Sequence, residues 1–374
     1  MEKKLIEEIT GKTEPEGKPE NTNQNSTQIA RSTKKLASLK LDRNQIRRNS
    51  FKTDSSNKKN TSSKDLPLKR RNSFQTNNTP SLKKKFKCIK TYPNAHQDFI
   101  EKLVLFKNGK IGSLSYDFTI KMWDIGEMSK KPIYTLKGHT NRVTDMIQYT
   151  NTLLVSVSQD KTIRKWNINT GKDVYCYEMK HPFLCVCPVT DVTVCCGGGD
   201  KALRFYDLSA DKQIDESYIL EGHSDLVTCV LQIDSYTMAS GSGDHSIRFW
   251  DINKRKHLFT LEGHYSGVSC LKLLKDKRFA SGSYDNTIII WNIEKRDVEL
   301  RLSHGTGHIL CMSQFIDGRI VSGGSDWTIT VWNSKNGSVE TSFEAHDEAV
   351  CGLVVTVDGK IVSGSRDMAI KVWE

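Results

Sequence analysis

An all-β fold is what this sequence predicts: a seven-bladed propeller of four-stranded antiparallel blades, preceded by a disordered basic N-terminal tail. Three observations predict it. A pattern ending at Trp123, Trp166, Tyr206, Trp250, Trp291, Trp332 and Trp373 recurs at spacings of 43, 40, 44, 41, 41 and 41 residues, a period that marks a repeat architecture. Within one unit, GHYSGVSCLKLLKDKRFASGSYDNTIIIWNI, short alternating runs are divided by KDK and YDN, which is the chemistry of strands and tight turns. Composition also changes abruptly ahead of the first unit: Met1 to Lys85 carries 21 Lys and Arg against 9 Asp and Glu, a net of +12, while the remainder carries 34 against 35.

Residues 1–85 form the tail. From 21 to 85 they are dense in Ser, Thr, Asn, Gln and Lys and nearly lack aromatics, so they cannot bury enough apolar surface to offset the entropy of ordering. The opening MEKKLIEEITGK has no apolar run of signal-peptide length, and no stretch approaches the ~20 apolar residues of a membrane span. A soluble, cytoplasmic protein is expected, with nuclear residence through the basic tail as the alternative. Two copies of one motif, IRRNSF at 46–51 and KRRNSF at 69–74, resemble the substrates of basophilic kinases of the cyclic-nucleotide-dependent type. Paired guanidinium groups suit kinase carboxylates and the following Phe suits a small apolar pocket. Ser50 and Ser73 are the expected acceptors, with Ser38 in KKLASL a third candidate. The runs KRR and KKKFK also suit non-specific contact with nucleic acid or an acidic surface.

Residues 86–374 form the ring. A sheet of a few strands cannot bury both faces alone, so blades must stack radially and the ring must close or leave an edge exposed. The last unit stops at IKVWE, its third strand, and FKCIKTYPNAH ahead of the first unit looks like the outer-strand segments PIYTLKGH and HLFTLEGH. Phe86 to Tyr92 is therefore expected to complete the last blade of a monomeric ring.

These residues resemble the WD-repeat family from about Phe86 to Glu374. The resemblance implies a hydrogen-bonded tetrad in each blade: a His before the first strand, a Ser in the second, an Asp in the turn that follows and a Trp in the third. Carried over by position, it gives His96, Ser113, Asp117 and Trp123 in the first blade and His139, Ser156, Asp160 and Trp166 in the second. The fourth supplies His223, Ser240, Asp244 and Trp250, and the fifth His264, Ser281, Asp285 and Trp291. The sixth supplies His304, Ser322, Asp326 and Trp332, and the seventh His346, Ser363, Asp367 and Trp373. The third unit departs, keeping His181 and Asp200 but placing Cys196 where Ser is expected and Tyr206 where Trp is expected.

The same residues weigh against catalysis. Seven of the ten histidines are used by the repeats, leaving His245, His257 and His308 scattered in sequence. The Asp-His-Ser constellation resembles a hydrolase triad, but near-copies in every unit make it structural, and a non-enzyme is expected. Cys187, Cys229, Cys270 and Cys311 recur at spacings of 42, 41 and 41, and Cys195 and Cys196 face opposite sides of a strand. None has paired metal-ligand spacing, so free core thiols in a reducing compartment are expected, with neither metal nor cofactor.

Partners in this family commonly meet the face carrying the loops that precede the first strand and join the second to the third. Blades six, seven and one become neighbours once the ring closes. Phe99, Tyr116, Phe118, Trp327, Arg366 and Met368 are therefore expected to form one patch of the composition that interface hot spots have, with Arg142 and Lys161 extending it. The function expected is a scaffold or adaptor for protein or peptide partners. The alternatives are the substrate-recognition subunit of a ubiquitin ligase, and a subunit of a nuclear chromatin or RNA complex.

Overall fold

A computed structural model describes residues 86–374 apart from 128, 210–215, 277, 304 and 306. The expectations for the tail, including Ser38, Ser50 and Ser73, lie outside the described residues. Every regular element described is a strand. Twenty-eight of them, numbered β1 to β28 along the chain, make seven four-stranded antiparallel sheets. No described segment is a helix long and apolar enough to cross a membrane.

Six blades are consecutive in sequence. The first runs β2 (Ile100–Leu105), β3 (Ile111–Ser115), β4 (Ile120–Trp123) and β5 (Tyr134–Leu136) from the central channel outward. The seventh is assembled from both ends of the ring, in the order β26 (Val350–Val355), β27 (Ile361–Ser365), β28 (Ile370–Trp373) and β1 (Cys88–Tyr92). Tyr92 pairs with Ile370 and Cys88 with Trp373, and Lys87 and Glu374 exchange backbone hydrogen bonds of 2.9 and 3.0 Å.

Alternation along the strands determines which side chains meet between blades. Second strands such as β3 and β27 are buried along their whole length, because each is sandwiched between the neighbouring sheets. One cluster joins Val354, Val362, Ile370 and Tyr92 of the last blade to Ile100, Leu103, Ile111 and Trp123 of the first. Glycines at matching positions in the second strands let the next blade press in. An added Cβ would stand 2.6 Å from Val227 at Gly197, 2.6 Å from Ile309 at Gly282 and 2.6 Å from Val350 at Gly323. At the outer edge Arg255 stacks over Tyr218 and Arg296 over Phe259, each at 4.5 Å from the ring centroid, so a cation from one blade covers an aromatic ring of the blade before it.

The strand register revises two positions read from the sequence. Phe183 pairs with Gly198 as Val143 pairs with Ser158, which puts Met179 where the second blade has His139. His181 is two residues further on, because the third blade replaces the polar set with an apolar one: Cys196 and Tyr206 are buried, and Tyr206 packs edge-on against Phe183 at 5.7 Å. Asp200 instead pairs with Arg204. Likewise Cys185, rather than Cys187, is the counterpart of Cys229, Cys270 and Cys311, since these four pair with Gly197, Gly241, Gly282 and Gly323.

Candidate functional site: tetrads, turn tips and channel mouth

Among the described residues five blades show the full tetrad. In the first, His96 Nδ1 lies 2.9 Å from Asp117 Oδ2, His96 Nε2 lies 2.6 Å from Ser113 Oγ, and Trp123 Nε1–H donates to the same oxygen at 2.8 Å. His139, His223, His264 and His346 repeat this with Asp160, Asp244, Asp285 and Asp367, and with Ser156, Ser240, Ser281 and Ser363. Trp166, Trp250, Trp291 and Trp373 close the sets. The geometry calls for a neutral imidazole that donates from Nδ1 to Asp and accepts from the Ser hydroxyl at Nε2. The chain of bonds is that of a hydrolase triad, but each Ser is fully buried and its oxygen receives an indole N–H, so it cannot present a nucleophile to a substrate.

The sixth blade keeps the bond from Trp332 Nε1–H to Ser322 Oγ at 2.8 Å. In complete sets the His precedes the Ser by 17 residues; that position here is Gly305, with φ +74°. His304 is one residue earlier and lies outside the described residues.

Burial works to raise the Asp117 carboxyl, but hydrogen bonds from His96 and Thr119 and from the Gln97 backbone N–H outweigh it and hold it well below the usual carboxylate range. Hydrogen bonds likewise overcome burial at Asp160, Asp244, Asp285 and Asp367. Burial pushes the imidazoles of His96 and His223 down. For both residue types the unfolded chain binds protons more readily than the folded one, so stability falls with pH. The melting temperature is expected to hold from pH 8 to 7, to decline below about pH 6.5 as unfolded histidines charge, and to fall more steeply below about pH 4 as unfolded carboxyls protonate. Thermal melts across pH 3–8 check this; a rise in stability between pH 7 and 5 would contradict it.

In the five complete blades the tetrad holds the turn between second and third strands, and the same turn recurs in all seven. Each ends in a residue with left-handed backbone: Phe118 (φ 68°), Lys161 (66°), Lys201 (67°), His245 (70°), Asn286 (69°), Trp327 (69°) and Met368 (66°). The turn is a three-residue hairpin loop closed by a bulge, a place that favours Gly or Asn. Phe118 and Trp327 occupy it with side chains 43% and 46% exposed.

The residues expected to form one patch separate into two groups. Phe99, Tyr116 and Arg366 meet: the two rings are 5.9 Å apart and the Arg366 guanidinium lies 5.9 Å from the Phe99 centroid. Arg142 joins them, donating to Tyr116 Oη at 2.9 Å and stacking over its ring at 5.0 Å. Tyr116, Arg142, Arg366 and Tyr284 line the mouth of the central channel, whereas Phe118, Trp327 and Met368 stand at the turn tips and do not line it.

Four charged residues of the channel escaped the sequence reading: Glu101 and Lys102 on β2, Asp145 on β6 (Val143–Gln148), and Lys272 on β18 (Val268–Leu273). Asp145 pairs with Lys102 and accepts the backbone N–H of Val186 at 3.1 Å. Burial acts against the Lys102 ammonium, but Asp145 outweighs it and raises its pKa. Burial, then the charge of Lys102, lowers that of Lys272. Burial also pushes the Tyr284 hydroxyl up to about 12 and those of the Cys187, Cys229 and Cys351 thiols up to about 12. Among the described residues no cluster of His, Cys, Asp and Glu is arranged to hold a metal ion.

The model of the WD domain, G-beta repeat, matches residues 130–167, 215–251, 255–292, 299–333 and 337–374. The chain belongs to the WD-repeat family. Two units of this WD-repeat propeller fall outside the matched segments, and the third is the one whose tetrad has become Met179, Cys196, Asp200 and Tyr206. Among curated proteins, none matches the chain.

Proposed function

We propose that this WD-repeat propeller is a non-catalytic scaffold that binds protein partners on the face carrying its left-handed turn tips and channel mouth. The supporting observation is the presence of Phe118 and Trp327, bulky and half exposed, at backbone positions where folding alone favours glycine. A left-handed conformation costs a non-glycine residue about 1 kcal/mol or more, and the exposed part of each ring recovers none of that in the free protein. Binding is what uses such a ring.

Replacing each by glycine separates stability from function. Phe118→Gly and Trp327→Gly are expected to raise stability by up to about 1 kcal/mol each, by relieving strain, while the double variant loses partners in affinity capture from the source cell. A melt that drops together with binding would assign both rings to the fold instead.

Mass spectrometry of the captured chain also tests the tail, where the paired RRNSF motifs support phosphorylation of Ser50 and Ser73 by a basophilic kinase. A cullin-type ligase among the partners would favour the ubiquitin-ligase reading, which the arginines of the mouth support. Loss of nuclear accumulation on removing the basic tail would favour a chromatin or RNA-complex subunit.

A further inference from the structure

Successive strands of each blade run antiparallel, so the hairpins that join first to second strands form the face of the ring opposite the turn tips. Three of the four most exposed large apolar side chains described lie on these hairpins: Val357 (87%), Ile316 (72%) and Tyr236 (62%). Val192 (43%) stands at a fourth.

Folding does not require an apolar residue at any of these tips. Ile316 and Val357 directly follow Phe315 and Thr356, whose backbone N–H groups donate to Arg319 O and Lys360 O at 2.9 Å. The first and fifth blades close the same hairpin with bonds from Phe106 to Lys110 and from Leu274 to Arg278, at 2.9 and 2.8 Å, and there the position belongs to the exposed Lys107 and Lys275. Val192 and Tyr236 donate their backbone N–H to Thr190 Oγ1 and Asp234 Oδ1 at 3.2 and 2.8 Å. In the second blade Thr152 makes the same bond to Thr150 Oγ1 at 3.2 Å. Each apolar tip thus has a polar counterpart in the same turn of the same molecule.

The four tips also match one another by position. Val192 and Tyr236, on blades three and four, stand across the channel from Ile316 and Val357, on blades six and seven. A second ring laid face to face with the first is related to it by a two-fold axis in the plane between them. Seven blades allow seven such axes, and only the one through the fifth blade sets apolar on apolar at every tip. Tyr236 of each copy then meets Ile316 of the other, and Val192 meets Val357. The same axis brings the exposed Lys275 of one copy beside the exposed Asp276 of the other, and Lys107 opposite the uncharged Asn151. Every other axis sets at least one apolar tip against the polar tips of blades one, two or five. Around these tips, on the same face, the loops joining third to fourth strands carry charge, among them Asp124, Lys254, Arg255, Glu294 and Lys295. An apolar centre with a polar rim is the composition of a protein interface.

We infer that two copies of this chain pair through this face, about a two-fold axis at the fifth blade, with Val192, Tyr236, Ile316 and Val357 at the contact. Each ring is closed within its own chain, so two finished propellers pair, and their turn-tip faces point outward in opposite directions. The pair presents two partner-binding faces in place of one. This pairing goes beyond the scaffold reading and does not depend on it.

Sedimentation velocity of the full chain at physiological salt tests it. The mass is expected to pass from one chain to two as concentration rises through the micromolar range, as suits an interface with a small apolar centre. Ile316→Lys and Val357→Lys copy Lys275 and Lys107, and Tyr236→Thr copies Thr152. All three are expected to keep the wild-type melt while weakening self-association at least about tenfold each. Ile316→Lys and Tyr236→Glu are each expected to stay single, whereas their equimolar mixture pairs, because the axis at the fifth blade brings the two substituted positions together. Phe118→Gly/Trp327→Gly is expected to pair as the wild type does, whatever becomes of its captured partners.

A single-chain mass throughout the micromolar range, pairing unchanged by the tip variants, or a mixture that stays single would overturn the inference. Loss of a captured protein from the tip variants, with no second copy in the wild type, would overturn it as well and assign the face to that protein.

Discussion

Removing residues 1–92 is expected to abolish the cooperative melt of the ring, while removing only residues 1–85 is expected to leave the melting temperature unchanged within about a degree. The second cut stops short of Phe86, which stacks on Phe315 and Phe343 at 6.2 and 5.8 Å. The first takes away β1 entirely, including Tyr92, which is 2% exposed and packs edge-on against Trp123 at 5.3 Å. Burial of Phe86 and Tyr92 contributes about 4–5 kcal/mol between them, and the ladder to β28 is lost as well. Against a total stability of about 5–15 kcal/mol, that is enough to open the ring, and β28 then becomes a bare edge prone to association. Scanning calorimetry of the two truncations reads the difference directly; a cooperative transition in the shorter form would show that the seventh blade stands on three strands.

Gly352→Ala is expected to be among the most damaging single methyls in the ring, beside Gly198→Ala, whose added Cβ would lie 2.4 Å from the Pro182 carbonyl oxygen. Most glycines of the second strands face side chains of the next blade, which can rotate or shift. Gly352, on the innermost strand β26, faces backbone: an added Cβ would lie 2.7 Å from Leu103 N, 2.8 Å from Leu103 Cγ and 3.0 Å from Lys102 C. Accommodating it means moving β2 away from β26 at the junction of the last blade with the first. Overpacking of this kind costs about 3 kcal/mol, a fall of roughly 6–12 °C in melting temperature for a domain of this size. Chemical denaturation of Gly352→Ala beside Gly109→Ala tests it, since Gly109 has open space for a Cβ but a left-handed backbone (φ +79°). A larger loss at Gly109 would show that backbone strain outweighs the close approach.

The ring, the blade count and the closing strand were legible because the repeat is written in residues that do only one thing. An Asp in a tight turn, a Ser and a Trp ten residues further on keep their separation in every complete set. The histidine was less legible, since the loop before each first strand varies in length. In the third unit His181 is the nearest histidine in sequence, but counting back 17 residues from Cys196 reaches Met179. The channel was not legible. Glu101 and Lys102 share β2, while Asp145 and Lys272 belong to two other blades, and on a single strand each looks like an ordinary solvated position. Only closure of the ring turns the innermost strands toward one another. The split of the expected patch has a similar cause: Tyr116 and Phe118 flank the same Asp, but the left-handed backbone of Phe118 turns the chain between them, so only Tyr116 reaches the mouth.

The seventh blade also sets a timetable for synthesis. About 260 residues separate β1 from β26, the first of the three strands it joins, and a ribosome adding ~5–20 residues per second takes roughly 13–52 s to cover them. During that interval six blades can form in order, each docking on the one before, while β1 waits without a partner. The growing arc has one unfinished flank throughout, and its last joining step is a long-range pairing of the slow kind. A nascent chain of this protein therefore needs its first strand shielded until its last one emerges.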